Sequence, residues 1–250
     1  MDDRWKGWVD TNLKRGCKKE DMFHTMIASG ILPSVAKQTL SISEAIAIYP
    51  YDQLPSKNLS LCTVLGNDVT KVYVMDNVLS KAQCKTLRRL SVGKLRPSTT
   101  TTNAKHFRTS STHDFDSSDP MYAKVDNILS KFINIPLNYG EVTQVQRYLV
   151  GNKFDEHTDW FSPHAAEWAF ATKGQRTWTV TVYLNDVEEG GETEFPKLGV
   201  TLQPKMGRLV AWNNLLTSGE GNEETLHKGC QVKKGKKFII TKWFRDKAQF

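Results

Sequence analysis

The first chemical signal comes from three side chains in two distant stretches. His157 and Asp159 flank Thr158 in EHTDWF, and His227 opens HKGC far downstream. A His-x-Asp triplet alone fits a surface loop, since aspartate favours turns. A second histidine from another segment widens the chemistry. Two imidazoles and one carboxylate can cap one face of an octahedral iron, leaving three positions for a co-substrate and oxygen. Zinc accepts the same donors, but a catalytic zinc site gives no role to the features that follow.

Ten residues after His227 comes Lys237, opening KKFIITKWF. Side chains alternate along a strand, so Lys237, Ile239, Thr241 and Trp243 share one face, while Phe238, Ile240, Lys242 and Phe244 share the other. An ammonium facing a barrel interior needs an anion, because an unpaired buried charge is costly. A dicarboxylate that chelates iron at one end offers its distal carboxylate to Lys237. The same parity puts Thr177, Thr179, Thr181 and Tyr183 on one face of RTWTVTVYL, and Gln144, Gln146 and Tyr148 on one face of QVQRYLV. Both strands thus present lines of polar groups able to bind a carboxylate.

The elements that must position these residues follow from pattern. The N-terminal stretch is helical in spacing: Trp5, Trp8, Val9 and Leu13, then Met22, Met26 and Ile27, with breaks at Gly30 and Pro33. A second short helical pattern, SISEAIAIYP, stops at Pro50. KVYVMDNV reads as a strand, and Ser80 with Gln83 forms a capping box ahead of a helix. Asp119-Pro120 reads as an N-cap and first turn, with Val125, Ile128, Leu129, Phe132 and Ile133 at helical spacing behind it. After Tyr139 come TQVQRYLV, RTWTVTVYLN, GGETEFP, VTLQPKMGRLVAWN and KKFIITKWF, all strand-like. Helices packed on short antiparallel strands predict an α+β fold built on a β-sandwich or jelly-roll barrel. Residues 94–118, polar and rich in Thr and Ser, read as a flap over the site.

Bulk properties set the outer limits. The chain has 250 residues, 39% hydrophobic and 24% charged, enough for a sizeable core without disulfides. Cys17, Cys62, Cys84 and Cys230 form no CxxC pair, which argues against a zinc ribbon and for a reducing compartment. Neither a signal-peptide run nor a membrane-length apolar stretch is present, so a soluble, cytoplasmic protein is expected. A net charge of +7 supplies only a general positive field. KKGKK, Lys233 to Lys237, reads as a solvated hairpin tip around Gly235, Lys237 excepted. His24, His106, His113 and His164 read as surface residues.

RYLVGNKFDEHTDWF, YLNDVEEGGETEFP and HKGCQVKKGKKFIITKWFR closely resemble the iron(II)- and 2-oxoglutarate-dependent prolyl 4-hydroxylases, including soluble bacterial and viral types and the catalytic domain of collagen prolyl 4-hydroxylase alpha subunits. The similarity extends through VMDNVLSKAQC and FRTSS, from about Val69 onward. It implies a double-stranded β-helix (jelly-roll) core with flanking N-terminal helices, divided into a helical appendage and linker at 1–60 and an oxygenase domain at 69–250. It further implies that His157, Asp159 and His227 hold Fe(II) and form the catalytic centre. Lys237, aided by Tyr148 and Thr179, would bind 2-oxoglutarate; Trp243 would line the pocket near iron, and Arg108 would lie along a peptide groove. The implied reaction hydroxylates peptidyl proline at C4 with O2 and 2-oxoglutarate, releasing succinate and CO2, with ascorbate as a further cofactor.

Some positions depart from the family pattern. Phe238 replaces a frequent tryptophan, and WFSPHAAEWAFATKGQR and NNLLTSGEGNEETLH look individual, so substrate identity is the least constrained inheritance. Rival readings are oxidation of another substrate by the same machinery, whether an amino acid or an alkylated nucleic acid, and a non-catalytic binder of Pro-rich peptides. The family's nucleic-acid dealkylases carry arginine where Lys237 stands, which disfavours nucleic acid. A pure binder has no need of an intact triad. The expected partner is a proline-containing peptide or protein, with no membrane involved.

Overall fold

A computed structural model describes residues 3–29, 31, 33–42, 56–99, 107–162 and 174–249. Helices α1 (Asp3–Lys14), α2 (Lys19–Ala28) and α3 (Pro33–Leu40) come first. They bury Val9, Met22, Phe23, Met26, Ala36 and Leu40 against one another in an apolar cluster of their own. The short helix in SISEAIAIYP lies outside the described residues beyond Ile42. Helix α4 (Ser56–Leu59) leads to the main body, with the Asn58 side-chain amide donating to the Phe132 carbonyl at 2.6 Å.

Strands β1 (Thr63–Gly66) and β2 (Lys71–Met75) precede α5 (Lys81–Ser91), which carries the expected capping box between Ser80 and Gln83. Then come β3 (Arg96–Pro97), β4 (Ser111–Asp114) and α6 (Pro120–Ile133), the last capped by the Asp119 carboxylate with Pro120 in its first turn. The remaining strands are β5 (Gln144–Tyr148), β6 (Phe154–His157), β7 (Arg176–Tyr183), β8 (Glu189–Gly190), β9 (Thr193–Phe195), β10 (Val200–Leu202), β11 (Leu209–Asn213), β12 (His227–Gly229), β13 (Val232–Lys234) and β14 (Lys237–Arg245).

Every strand pair is antiparallel. An eight-stranded sheet runs β1-β2-β11-β7-β14-β5-β4-β3, and a four-stranded sheet runs β10-β9-β12-β6. The two sheets form the jelly-roll. The outer face of the large sheet buries Val145, Trp178, Val180, Val182, Phe238, Ile240 and Phe244 against α5 and α6. Those are the predicted outward parities of β5, β7 and β14, so the polar parities turn into the space between the sheets. Gly235, at φ 85, turns the hairpin from β13 to β14, and Lys233 and Lys234 at its tip pair with Glu189 and Glu188.

The described ends of the 94–118 segment form sheet, β3 pairing with β4 and β4 with β5, while the middle of the expected flap, 100–106, lies outside the described residues. One expectation changes. His113 is not a surface residue; it turns toward α6, its ring 5.9 Å from that of Tyr122, with Nε2 buried. His24 is exposed, while His106 and His164 lie outside the described residues. Among the described residues no helix is long and apolar enough to cross a membrane.

Candidate active site

Pairing of β6 with β12 sets His157 directly opposite His227, with ring centroids 4.3 Å apart. The chain then turns out of β6 and returns Asp159 between them. Its two carboxylate oxygens stand 3.8 Å from His157 Nε2 and 3.8 Å from His227 Nε2. One donor atom from each residue falls within 4.8 Å of the others, a spacing that can hold a metal ion.

Each imidazole is oriented by the backbone two residues before it. His157 Nδ1 lies 2.7 Å from the Asp155 carbonyl, and His227 Nδ1 lies 2.9 Å from the Thr225 carbonyl. A carbonyl only accepts, so both Nδ1 atoms carry the proton and both Nε2 lone pairs face the centre. Burial, followed by the nearby His227, pushes the His157 pKa down to about 3. Burial opposes ionisation of Asp159, but His227, His157, Arg176 and a hydrogen bond from Thr179 outweigh it and keep its pKa low. Two imidazoles with Nε2 turned inward and an ionised carboxylate therefore converge, the donor set that suits a divalent iron with open positions.

The triad lines one end of a cavity of about 420 Å³ including its mouth. Lys237 lines it too, 2% exposed, with Nζ 5.2 Å from the Tyr148 ring centroid and 5.5 Å from that of Tyr183. Its ammonium has no hydrogen-bond or ion-pair partner among the described residues. Burial lowers its pKa to about 8 against the opposing pull of Cys230 and Glu192. The other lysine of β14 makes the contrast: Lys242, 3% exposed on the opposite face, has Asp126 at 3.4 Å.

The remaining predicted residues separate into three groups. Tyr148 and Trp243 line the cavity as parity requires. Thr179 also lines it, but its hydroxyl is committed at the metal end, donating to Asp159 Oδ2 at 2.7 Å and accepting from Asn214 Nδ2 at 2.9 Å. The resemblance puts it at the co-substrate's carboxylate; its hydroxyl here orients the Asp159 carboxylate. The threonine at the lysine end is Thr193 in GGETEF: it pairs in register with Gly229, whose Cβ position is 3.9 Å from Lys237 Nζ, and accepts the Tyr183 hydroxyl at 2.6 Å. Arg108 sits apart from the triad, its guanidinium bound to the Ser110 and Thr112 hydroxyls and 4.8 Å above the Phe154 ring. Phe154 in turn stacks on His157 at 3.6 Å.

A buried charge cluster escaped the sequence reading. Glu141 accepts two hydrogen bonds from Arg176, at 2.6 and 2.8 Å, and one from Arg245 at 2.8 Å. Arg176 also lies 4.2 Å over Trp243 and 5.0 Å over Phe161, so it braces a cavity wall and the loop after Asp159 together. Trp160 packs into the core and against Gly221, where an added Cβ would fall 2.2 Å from its ring. Neither aromatic beside Asp159 lines the cavity. These long-range pairings leave no local pattern, although Arg-to-Glu complementarity on strand ends is a signal that could have been sought.

A jelly-roll with two histidines and a carboxylate at one end of its cavity and a buried lysine in the same cavity defines a class, the 2OG-Fe(II) oxygenase superfamily, whose family model matches residues 143–245. Closer likenesses narrow it. The chain is 30% identical over 200 residues to prolyl 4-hydroxylase 13 of Arabidopsis thaliana, covering 71% of this chain and 72% of that protein. It is 32% identical over 179 residues to prolyl 4-hydroxylase subunit alpha-2 of Gallus gallus, covering 69% of this chain but only 33% of that subunit. The crystal structure of a viral collagen prolyl hydroxylase from Paramecium Bursaria Chlorella virus-1, a complex with 2OG, superposes with a TM-score of 0.57 at 29% identity, covering 70% of this chain and 95% of that one. The chain belongs to the prolyl 4-hydroxylase family.

Proposed function

We propose that this chain hydroxylates peptidyl proline at C4, consuming O2 and 2-oxoglutarate and releasing succinate and CO2. The carrying observation is the contrast between the two buried lysines of β14. Lys242 has its carboxylate, whereas Lys237 faces the cavity of the triad with no partner among the described residues. A monocarboxylate bound at the metal would leave that charge unanswered; a dicarboxylate reaches both ends. His157, Asp159 and His227 would hold Fe(II), which when bound couples oxidative decarboxylation of 2-oxoglutarate to hydroxylation of a C–H bond.

The chain's own residues do the positioning. The Asp155 and Thr225 carbonyls fix the imidazole tautomers, and Thr179 with Asn214 fixes the carboxylate. Lys237, with Tyr148 and Thr193 beside it, would take the distal carboxylate. Trp243, braced by Arg176, would wall the pocket against water. Arg108 would guide the peptide past Phe154, on the ring that covers His157. The named relatives act on proline, which supports a proline-containing peptide or protein as substrate. Ascorbate would keep the iron reduced. The division at 1–60 and 69–250 belongs to the same proposal, supported by the separate apolar cluster of α1 to α3.

The test is succinate release by the iron-loaded chain with and without Pro-rich peptides, with mass spectrometry of the peptide for 4-hydroxyproline. Peptide-stimulated succinate and a +16 Da proline are expected, both abolished by His157→Ala. Bound iron and 2-oxoglutarate with no peptide oxidised would overturn the assignment.

A further inference from the structure

Gln146 is a polar side chain on the cavity wall that the proposed reaction has not used. It is 3% exposed, and its side-chain carbonyl accepts the Tyr148 hydroxyl at 3.1 Å. Its two amide N–H groups have no partner among the described residues. The neighbours across the sheet cannot supply one. Ile239 on β14 is apolar, and Thr112 on β4 is already held by Ser98 and Arg108. An amide on the cavity wall with no protein acceptor is free to donate to a group that enters the cavity.

The acceptor must come from the ligand, and the rows of the sheet say which part of it. Lys237 stands opposite Tyr148, and Ile239, two residues on, stands opposite Gln146. Gln146 is thus one row from the lysine, on the same wall. Tyr148 has a single proton and gives it to Gln146, so toward a bound carboxylate it offers only lone pairs. A carboxylate is acceptor-only and needs donors. We infer that Gln146, held by Tyr148 with its N–H groups toward the cavity, is the second donor to the distal carboxylate of 2-oxoglutarate, alongside Lys237. Tyr148 acts through Gln146 as its orienting group. The inference rests on the reading of the cavity as a 2-oxoglutarate site.

The experiment is calorimetric titration of the iron(II)-loaded full chain, without oxygen, comparing 2-oxoglutarate with 2-oxobutyrate, which chelates through the same keto-acid end but lacks the distal carboxylate. Gln146→Met keeps the volume and removes the amide. It should weaken 2-oxoglutarate about tenfold or more, the size expected for a hydrogen bond to a charged group, and leave 2-oxobutyrate unchanged. Gln146→Asn, which keeps the polarity but withdraws the amide by one methylene, should show the same selective loss and serves if the Met variant does not fold. Equal weakening of both ligands, or no weakening of either, would overturn the role of Gln146. Lys237→Met is run in parallel. If it weakens 2-oxoglutarate while both Gln146 variants bind normally, only this inference falls; if it too binds normally, the co-substrate reading falls with it.

Discussion

The Lys237 ammonium should make 2-oxoglutarate binding pH-dependent in a way the structure sizes in advance. Burial brings its pKa from 10.5 to about 8 in the ligand-free protein. At ~1.4 kcal/mol per pH unit that is ~3 kcal/mol of cost for holding the charge without a partner. A carboxylate at contact distance removes much of that cost and returns the pKa toward its ordinary value. Binding is then linked to proton uptake once the free lysine begins to lose its proton. Uptake should be about one half proton per ligand at pH 8 and about nine-tenths at pH 9, so the Kd rises close to tenfold per pH unit above 8 and is flat below 7. In the ligand-free protein the same shift has a definite sign. A lysine with a depressed folded pKa adds stability as pH rises from about 8 to 10.5 and loses it as pH falls through 8. Calorimetry in buffers of different ionisation enthalpy reads the uptake directly. Lys237→Met should abolish the linkage and weaken binding at pH 7. Absence of proton uptake between pH 7.5 and 9 in the unaltered chain, or the same uptake in Lys237→Met, would refute the argument.

Two further outcomes follow from the metal end. Thr179→Val leaves the shape intact but takes a hydrogen bond from Asp159 and strands Asn214; Fe(II) affinity, measured by chelator competition, should fall ~10–100-fold with 2-oxoglutarate affinity at saturating iron little changed. The reverse pattern would return Thr179 to the co-substrate end. Gly221→Ala puts a methyl 2.2 Å from the Trp160 ring and should cost about 1–3 kcal/mol of stability, read as a lower denaturant midpoint; an unchanged midpoint would mean that Trp160 is free to move.

Parity along strands was the most transferable part of the sequence. Lys237, Thr241 and Trp243 face the cavity and Phe238, Ile240 and Phe244 face the helices because an antiparallel strand buried on both sides cannot slip by one residue without exchanging every side chain. Parity fixes a face and not a place along it. That is why Thr179 and Thr193, both on cavity-lining strands, could not be told apart as metal-end and lysine-end hydroxyls until the strands were set in register. The described ends of 94–118 were opaque for a different reason. Ser98, Ser110 and Thr112 are polar because they bind one another and Arg108 near the sheet edge, Ser110 and Thr112 being buried there, and that composition imitates a loop.

The two ends of the cavity offer a ligand different groups, and the difference explains what each can do. At the triad end the groups behind the three side chains are already paired: both Nδ1 atoms, Asp159 Oδ2 and the Thr179 hydroxyl have partners, while both Nε2 atoms are left facing the centre. At the far end the Lys237 ammonium and the Gln146 amide line the cavity with no partner among the described residues, so an entering carboxylate meets donors that no protein group already holds. A ligand lacking that carboxylate would leave both donors unpaired and gain none of this. Discrimination for a dicarboxylate therefore arises from donors on β5 and β14 that the fold leaves open to the cavity.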